Sequence, residues 1–305
     1  MRKMTMLAAA AATMLTGAAA VAGTGHQWGN YYWGTLGQSP TLTLRHKFSD
    51  ATKAKWMPLY LTGSENSFDE WNSDPQSPLI LNDLGEDNTK DNMTCDPRAG
   101  EILVCSGEYG NNTGWVGIAQ IWPSGNNITR ANAKMNDSFY EYDPFYNNAG
   151  QREFVMCHEV GHTFGLGHLD EGFNNTNLGS CMDYTSNVFG PPDNSDPGQV
   201  DWDVLNSATM YGSGGGGTTD PEPQPCKGRG CNGGGGGKPG KGKLGNLVAS
   251  PHASERGLER GRFGGILGYD DEGRPNAFVK DLRGGKKITF VMWAKDYRPE
   301  GSIRK

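Results

Sequence analysis

Apolar and polar residues alternate from Thr41 to His46 (TLTLRH), the period of a strand with one buried face. Ser77–Leu84 (SPLILNDL) predicts a second strand. Ile102–Cys105 follows a turn-rich span at Asp96-Pro97-Arg98-Ala99-Gly100. Trp115–Trp122 (WVGIAQIW) is an apolar, β-prone run, and Ile128–Met135 (ITRANAKM) alternates as its partner strand. Helical spacing predicts three helices. One is short, over 64–73, with Phe68 and Trp71 on one face and Ser64 as its cap. The second covers Asn148–Phe164. The third covers Pro197–Tyr211, with Pro197 near its start and Gly212 after its end.

Composition divides the chain. Residues 212–245 hold 15 of its 46 glycines and several prolines, the make-up of a flexible linker, so a domain boundary falls after Tyr211. Residues 246–305 form a basic C-terminal segment of unassigned fold, with Lys287–Ala294 (KITFVMWA) patterned as a strand. Residues 23–211 carry 9 basic and 24 acidic side chains, and residues 212–305 carry 17 and 10. The strongly acidic larger unit would repel phosphates, which argues against nucleic acid as the main partner. The basic tail suits an anionic surface; the alternative is a poorly ordered extension.

Only the N-terminus holds a long apolar run, which argues against a transmembrane protein. Arg2 and Lys3 precede an apolar stretch, and Ala20-Val21-Ala22 fits a cleavage site: a secretory signal peptide over residues 1–22, implying a secreted, extracellular chain. Six cysteines then favour disulfides, and six allow 15 pairings. Proximity suggests Cys95 with Cys105, Cys226 with Cys231, and Cys157 with Cys181.

The chemistry concentrates in Val155–Asp170 (VMCHEVGHTFGLGHLD). His158 and His162 are four apart, so on a helix they share one face and can grip one Zn²⁺ at about 2.0–2.1 Å. Glu159 is rotated toward water held by that metal. Gly165 can adopt positive φ, end the helix and return His168 as a third ligand. Three protein ligands leave a fourth position for water, the catalytic arrangement. Glu159 then serves as general base and acid in peptide-bond hydrolysis.

The extended pattern His158-Glu159-x-x-His162-x-x-Gly165-x-x-His168 resembles the zinc signature of the metzincin metallopeptidases. Ser180-Cys181-Met182-Asp183-Tyr184 resembles their Met-turn, whose methionine forms an apolar floor beneath the metal. The resemblance covers roughly residues 40–211. It mixes features of several subfamilies, and Leu169 after the third histidine matches none of them, so the clan is named and not the subfamily. The resemblance implies an α/β (α+β) catalytic domain over 23–211, with a twisted mixed sheet above the zinc-binding helix. It implies that Tyr184 stabilises the oxyanion; the alternative is a solvated loop tyrosine. It also implies an edge strand that pairs with the backbone of a protein or peptide substrate, for which Trp115–Ile121 is the candidate; the alternative is an internal strand that never meets substrate.

His26, His46 and His252 lack ligand spacing and read as surface or turn histidines. Asp193, Asn194, Ser195 and Asp196 cluster oxygen donors suited to Ca²⁺, against the reading of a capped loop before the last helix. Some 18 residues separate Gly23 from Thr41, too few for a long pro-segment, so latency is either absent or supplied by the C-terminal part. Two other classes stay open: a zinc-binding protein without catalysis, and a surface-binding protein whose working part is 246–305. Glu159 counts against the first.

Overall fold

Nine strands of a single mixed sheet carry the fold, and each follows from its local pattern. The computed structural model describes residues 26–61, 70–72, 74–212 and 262–303. Its strands are β1 (Tyr32–Trp33), β2 (Thr41–Lys47), β3 (Ile80–Glu86), β4 (Glu101–Gly107), β5 (Trp115–Ser124), β6 (Asn127–Asn136), β7 (Gly265–Tyr269), β8 (Pro275–Leu282) and β9 (Gly285–Trp293). The helices named here are α1 (Lys53–Leu61), α2 (Asp137–Tyr140), α3 (Ala149–Thr163) and α4 (Gln199–Leu205). The class is mixed α/β, with a large sheet and few helices.

The strand order is β3-β2-β4-β6-β5-β9-β8-β7, with β1 beside β6. Neighbours from β3 to β6 run parallel, and every pair from β6 through β5 and β9 to β7 is antiparallel. In β2 the alternation predicted by the sequence buries Leu42, Leu44 and His46 on one face. The central strands β4 and β5 are buried almost throughout, as expected for strands covered on both faces. Helix α3 packs beneath β5 and β6. Val116, Ile121, Ala131, Ala133 and Met135 meet Phe154, Val155 and Val160 in the main core.

Strand β5 is not the open edge that the sequence analysis assigned to Trp115–Ile121. Its outer side is taken by β9, with Ala119 opposite Phe290 and Ile118 opposite Val291. A second apolar cluster joins Trp115 and Ile118 to Phe263, Phe278, Val291 and Trp293. The C-terminal residues 262–303 therefore complete the sheet. A buried Asp270–Arg274 pair, Oδ2 to Nε 2.6 Å, holds the β7–β8 turn.

Other elements differ in extent. Strand β3 begins at Ile80 because the Ser77 hydroxyl turns the chain, donating to the Trp71 carbonyl and accepting from the Leu79 N–H at 3.2 Å. The last helix covers only Gln199–Leu205, because the Asn206 amide caps it by donating to the carbonyls of Trp202 (2.9 Å) and Gln76 (2.7 Å). Disulfides link Cys95 to Cys105 and Cys157 to Cys181. The signal-peptide region, Ser64 and Phe68, the Gly-rich linker beyond Gly212, the Cys226–Cys231 pair and His252 lie outside the described residues. Among the described residues, no helix is long and apolar enough to cross a membrane.

Candidate metal centre

Helix α3 supplies the first part of the site. Asn148 caps it, its side chain accepting from the Gln151 N–H at 2.9 Å. His158 and His162 face the same way one turn apart. The helix ends at Phe164, and Gly165 follows with φ +101°. A side chain at Gly165 would lie 2.4 Å from the Tyr31 carbonyl oxygen, so both its dihedral and its neighbour demand glycine. The turn brings His168 back to the helix. Nε2 of His162 lies 3.0 Å from Nε2 of His158 and 3.0 Å from Nε2 of His168.

The other ring nitrogens fix the tautomers. Nδ1 of His158 faces the Cys181 carbonyl at 2.7 Å, and Nδ1 of His162 faces the Leu166 carbonyl at 2.8 Å. Nδ1 of His168 faces the Glu171 carboxylate at 2.6 Å. A carbonyl or carboxylate oxygen only accepts, so each Nδ1 carries the proton. Nε2 of His162 thus stands 3.0 Å from each of the other two Nε2 atoms, too close for three facing lone pairs. Such a cluster repels itself unless a cation sits among the nitrogens, so the three histidines fit a metal ion. Burial also pushes the His158 and His162 pKa values well down, keeping both rings neutral as ligands must be.

The segment after His168 is laced to the turn at Met182. Leu169 N–H donates to the Met182 carbonyl at 2.8 Å, and Tyr184 N–H donates to the Asp170 carbonyl at 3.0 Å. Met182 is fully buried against α3, where a side chain at Gly161 would meet its sulfur at 2.5 Å. The Cys157–Cys181 disulfide ties the same turn to the helix. The Tyr184 hydroxyl lies 3.3 Å from Nε2 of His168, and the side chain is buried.

Glu159 is wholly buried, and neither oxygen of its carboxyl group has a hydrogen-bond partner among the described residues. Desolvation holds its pKa well above the usual carboxylate range. It lies against β5 at Gly117, where even a methyl group would stand 2.2 Å from its Oε1. A lone buried carboxyl group is costly, so its presence here needs a chemical reason.

Sequence reasoning missed four contributors. Glu171 orients His168. Asn276 of β8 donates to Glu171 at 2.8 Å. The Phe290 ring of β9 lies with its centroid 4.4 Å from that of His162 and 4.8 Å from that of His168. Trp28 stacks on Phe290 at 4.0 Å. Only Glu171 carried a local signal, as an acid three residues after a ligand histidine.

His26 and His46 are buried, not surface histidines. Nε2 of His26 meets Asp201 at 2.7 Å, and His46 packs between Phe48 and Tyr60. Asp201 also accepts from Ser180 and from the Gly198 N–H, at 2.8 and 2.6 Å. It thereby joins the N-terminal segment, the Met182 turn and α4. Of the oxygen donors suggested for Ca²⁺, Asn194 points inward, its amide donating to Asp183 at 2.7 Å and its carbonyl accepting from the Gly179 N–H at 2.8 Å. That is the bonding of a structural loop. Compared with known protein families and with curated proteins, the chain has no match.

Proposed function

We propose that the protein is a secreted, zinc-dependent endopeptidase of metzincin type. One observation carries the reading: three imidazoles with protonated Nδ1 converge through Nε2, and Glu159, next in sequence to the first of them, is buried with no hydrogen-bond partner among the described residues. Nitrogens bound tetrahedrally at 2.0–2.1 Å stand about 3.3 Å apart, close to the 3.0 Å separations seen here. Three converging histidines with a hydroxyl next to one of them match a hydrolytic centre better than a structural one, which uses four protein ligands.

His158, His162 and His168 would hold the zinc, which when bound would supply Lewis acidity toward a carbonyl oxygen and a water. Glu159, in its ionised form, would take a proton from the attacking water and return it to the leaving amine. Tyr184 donates its hydroxyl proton in a hydrogen bond to the developing oxyanion. Glu171 holds the His168 tautomer, and Met182 backs the helix. Two disulfides suit an oxidising, extracellular setting.

The test is metal stoichiometry together with cleavage of an unstructured protein. One zinc per chain, retained by Glu159→Ala, is the expected result, with hydrolysis about 10²–10⁴-fold lower in Glu159→Ala once the C-terminal strands β7–β9 have been released from both proteins. Undiminished hydrolysis in Glu159→Ala would refute the assignment.

A further inference from the structure

We propose that the β7–β9 unit is an inhibitor in cis, which fills the peptide lane along β5 and caps the metal centre with Phe290. The proposal rests on the peptidase reading above.

The outer edge of β5 is a row of backbone donors and acceptors beside Gly117, against which Glu159 lies. An extended peptide presented to the centre would pair along this row. Strand β9 already pairs there, antiparallel, from Ile121 opposite Ile288 to Trp115 opposite Trp293. Phe290, in the middle of that register, turns its ring onto His162 and His168, and Trp28 closes the far side of the ring. Asn276 of β8 adds a hydrogen bond to Glu171, the residue that orients His168. Consequently His158, Glu159 and His162 have no exposed surface, and the His168 side chain is 3% exposed. No peptide reaches the three histidines while β9 is in place.

The unit has the connectivity of a detachable piece. Within the sheet it touches the rest only where β9 meets β5, so its departure leaves every pairing from β3 to β5 intact. Its internal bonds are its own: the Asp270–Arg274 pair, and Trp293 Nε1 donating to the Pro275 carbonyl at 2.7 Å. Departure uncovers Trp115, Ile118 and Trp28 beside the vacated lane and withdraws Ala277, Ile288, Phe290, Met292 and Ala294 from the main core. The site is therefore built complete and kept shut by the chain's own C-terminal strands, and opening it is the regulated event.

The experiment uses the full chain with a unique protease-recognition sequence inserted between Gly212 and Arg262, loaded with Co²⁺. Access to the centre is read from the change that acetohydroxamate produces in the visible spectrum, which does not depend on hydrolysis. Cutting should release the C-terminal fragment on gel filtration and strengthen apparent hydroxamate binding at least tenfold. Cysteines at Gln120 and Thr289, whose side chains meet at 3.1 Å across β5 and β9, should abolish both changes when oxidised. A fragment that stays bound after cutting, or leaves without any gain in access, would overturn the proposal. If the remainder unfolds on release, uncut Phe290→Ala decides the matter: stronger hydroxamate binding supports the cap, and unchanged binding refutes it. Access gained without peptide cleavage would uphold the inhibitor and reject the peptidase reading instead.

Discussion

Each of the three clustered histidines is set by one bond from its Nδ1, and those bonds differ in kind. Two go to backbone carbonyls, which no substitution removes, and the third goes to Glu171. Glu171→Ala should therefore loosen His168 alone and weaken metal binding by about 10–100-fold, as read by competition with a chromogenic chelator. Unchanged affinity would show that Glu171 has no orienting role. Asp183 offers a pH test. Burial raises its pKa to about 6. The folded chain then binds a proton that the unfolded chain has lost, so ionisation costs stability as pH rises from about 4 to about 6. The upper bound is about 3 kcal/mol. Asp183→Asn should melt with a flatter pH dependence across that window, and parallel melting curves for the two proteins would contradict the assignment. The legible residues here were those fixed by local spacing. His158, His162, Gly165 and His168 lie within one helix and one turn, so period and glycine geometry were enough. Asn276 and Phe290 stand more than a hundred residues from the histidines, and nothing local marks them.

At the scale of elements, α3 and the Met182 turn form one unit. The Cys157–Cys181 bridge closes a loop with a sequence separation of 24 residues. On the chain-entropy account, replacing both cysteines with serine should cost about 3.4 kcal/mol. Thermal melting measures this loss, and a shift below about 1 kcal/mol would mean that the turn is held by its backbone bonds alone. Strands and the long helix were readable because alternation and helical spacing survive tertiary contact. The status of β5 was not, since an edge is defined by what pairs with it. Its run WVGIAQIW was itself a warning, because near-continuous apolarity marks a strand covered on both faces. The helix expected over 197–211 stopped at Leu205 because Asn206 found partners in Trp202 and Gln76, the second of them distant in sequence.

For the whole molecule, the acidic front and basic rear of the sequence meet in one sheet. Asp270 and Arg274, each 1% exposed, keep the rear unit in shape. Breaking a buried pair by removing one partner costs about 3–5 kcal/mol. Asp270→Ala should therefore loosen β7–β9 first, visible as faster amide exchange there than in β2, β4 and β6. Equal exchange in both parts would mean that the sheet opens as one body. The measurement that bears most directly on the account is the rate at which an unstructured protein is cleaved before and after the fragment beginning at Arg262 is released from the same preparation, with Glu159→Ala alongside. The account predicts at least a tenfold rise on release, abolished by a zinc chelator and absent from Glu159→Ala. Equal rates before and after release, or cleavage that survives in Glu159→Ala, would contradict it.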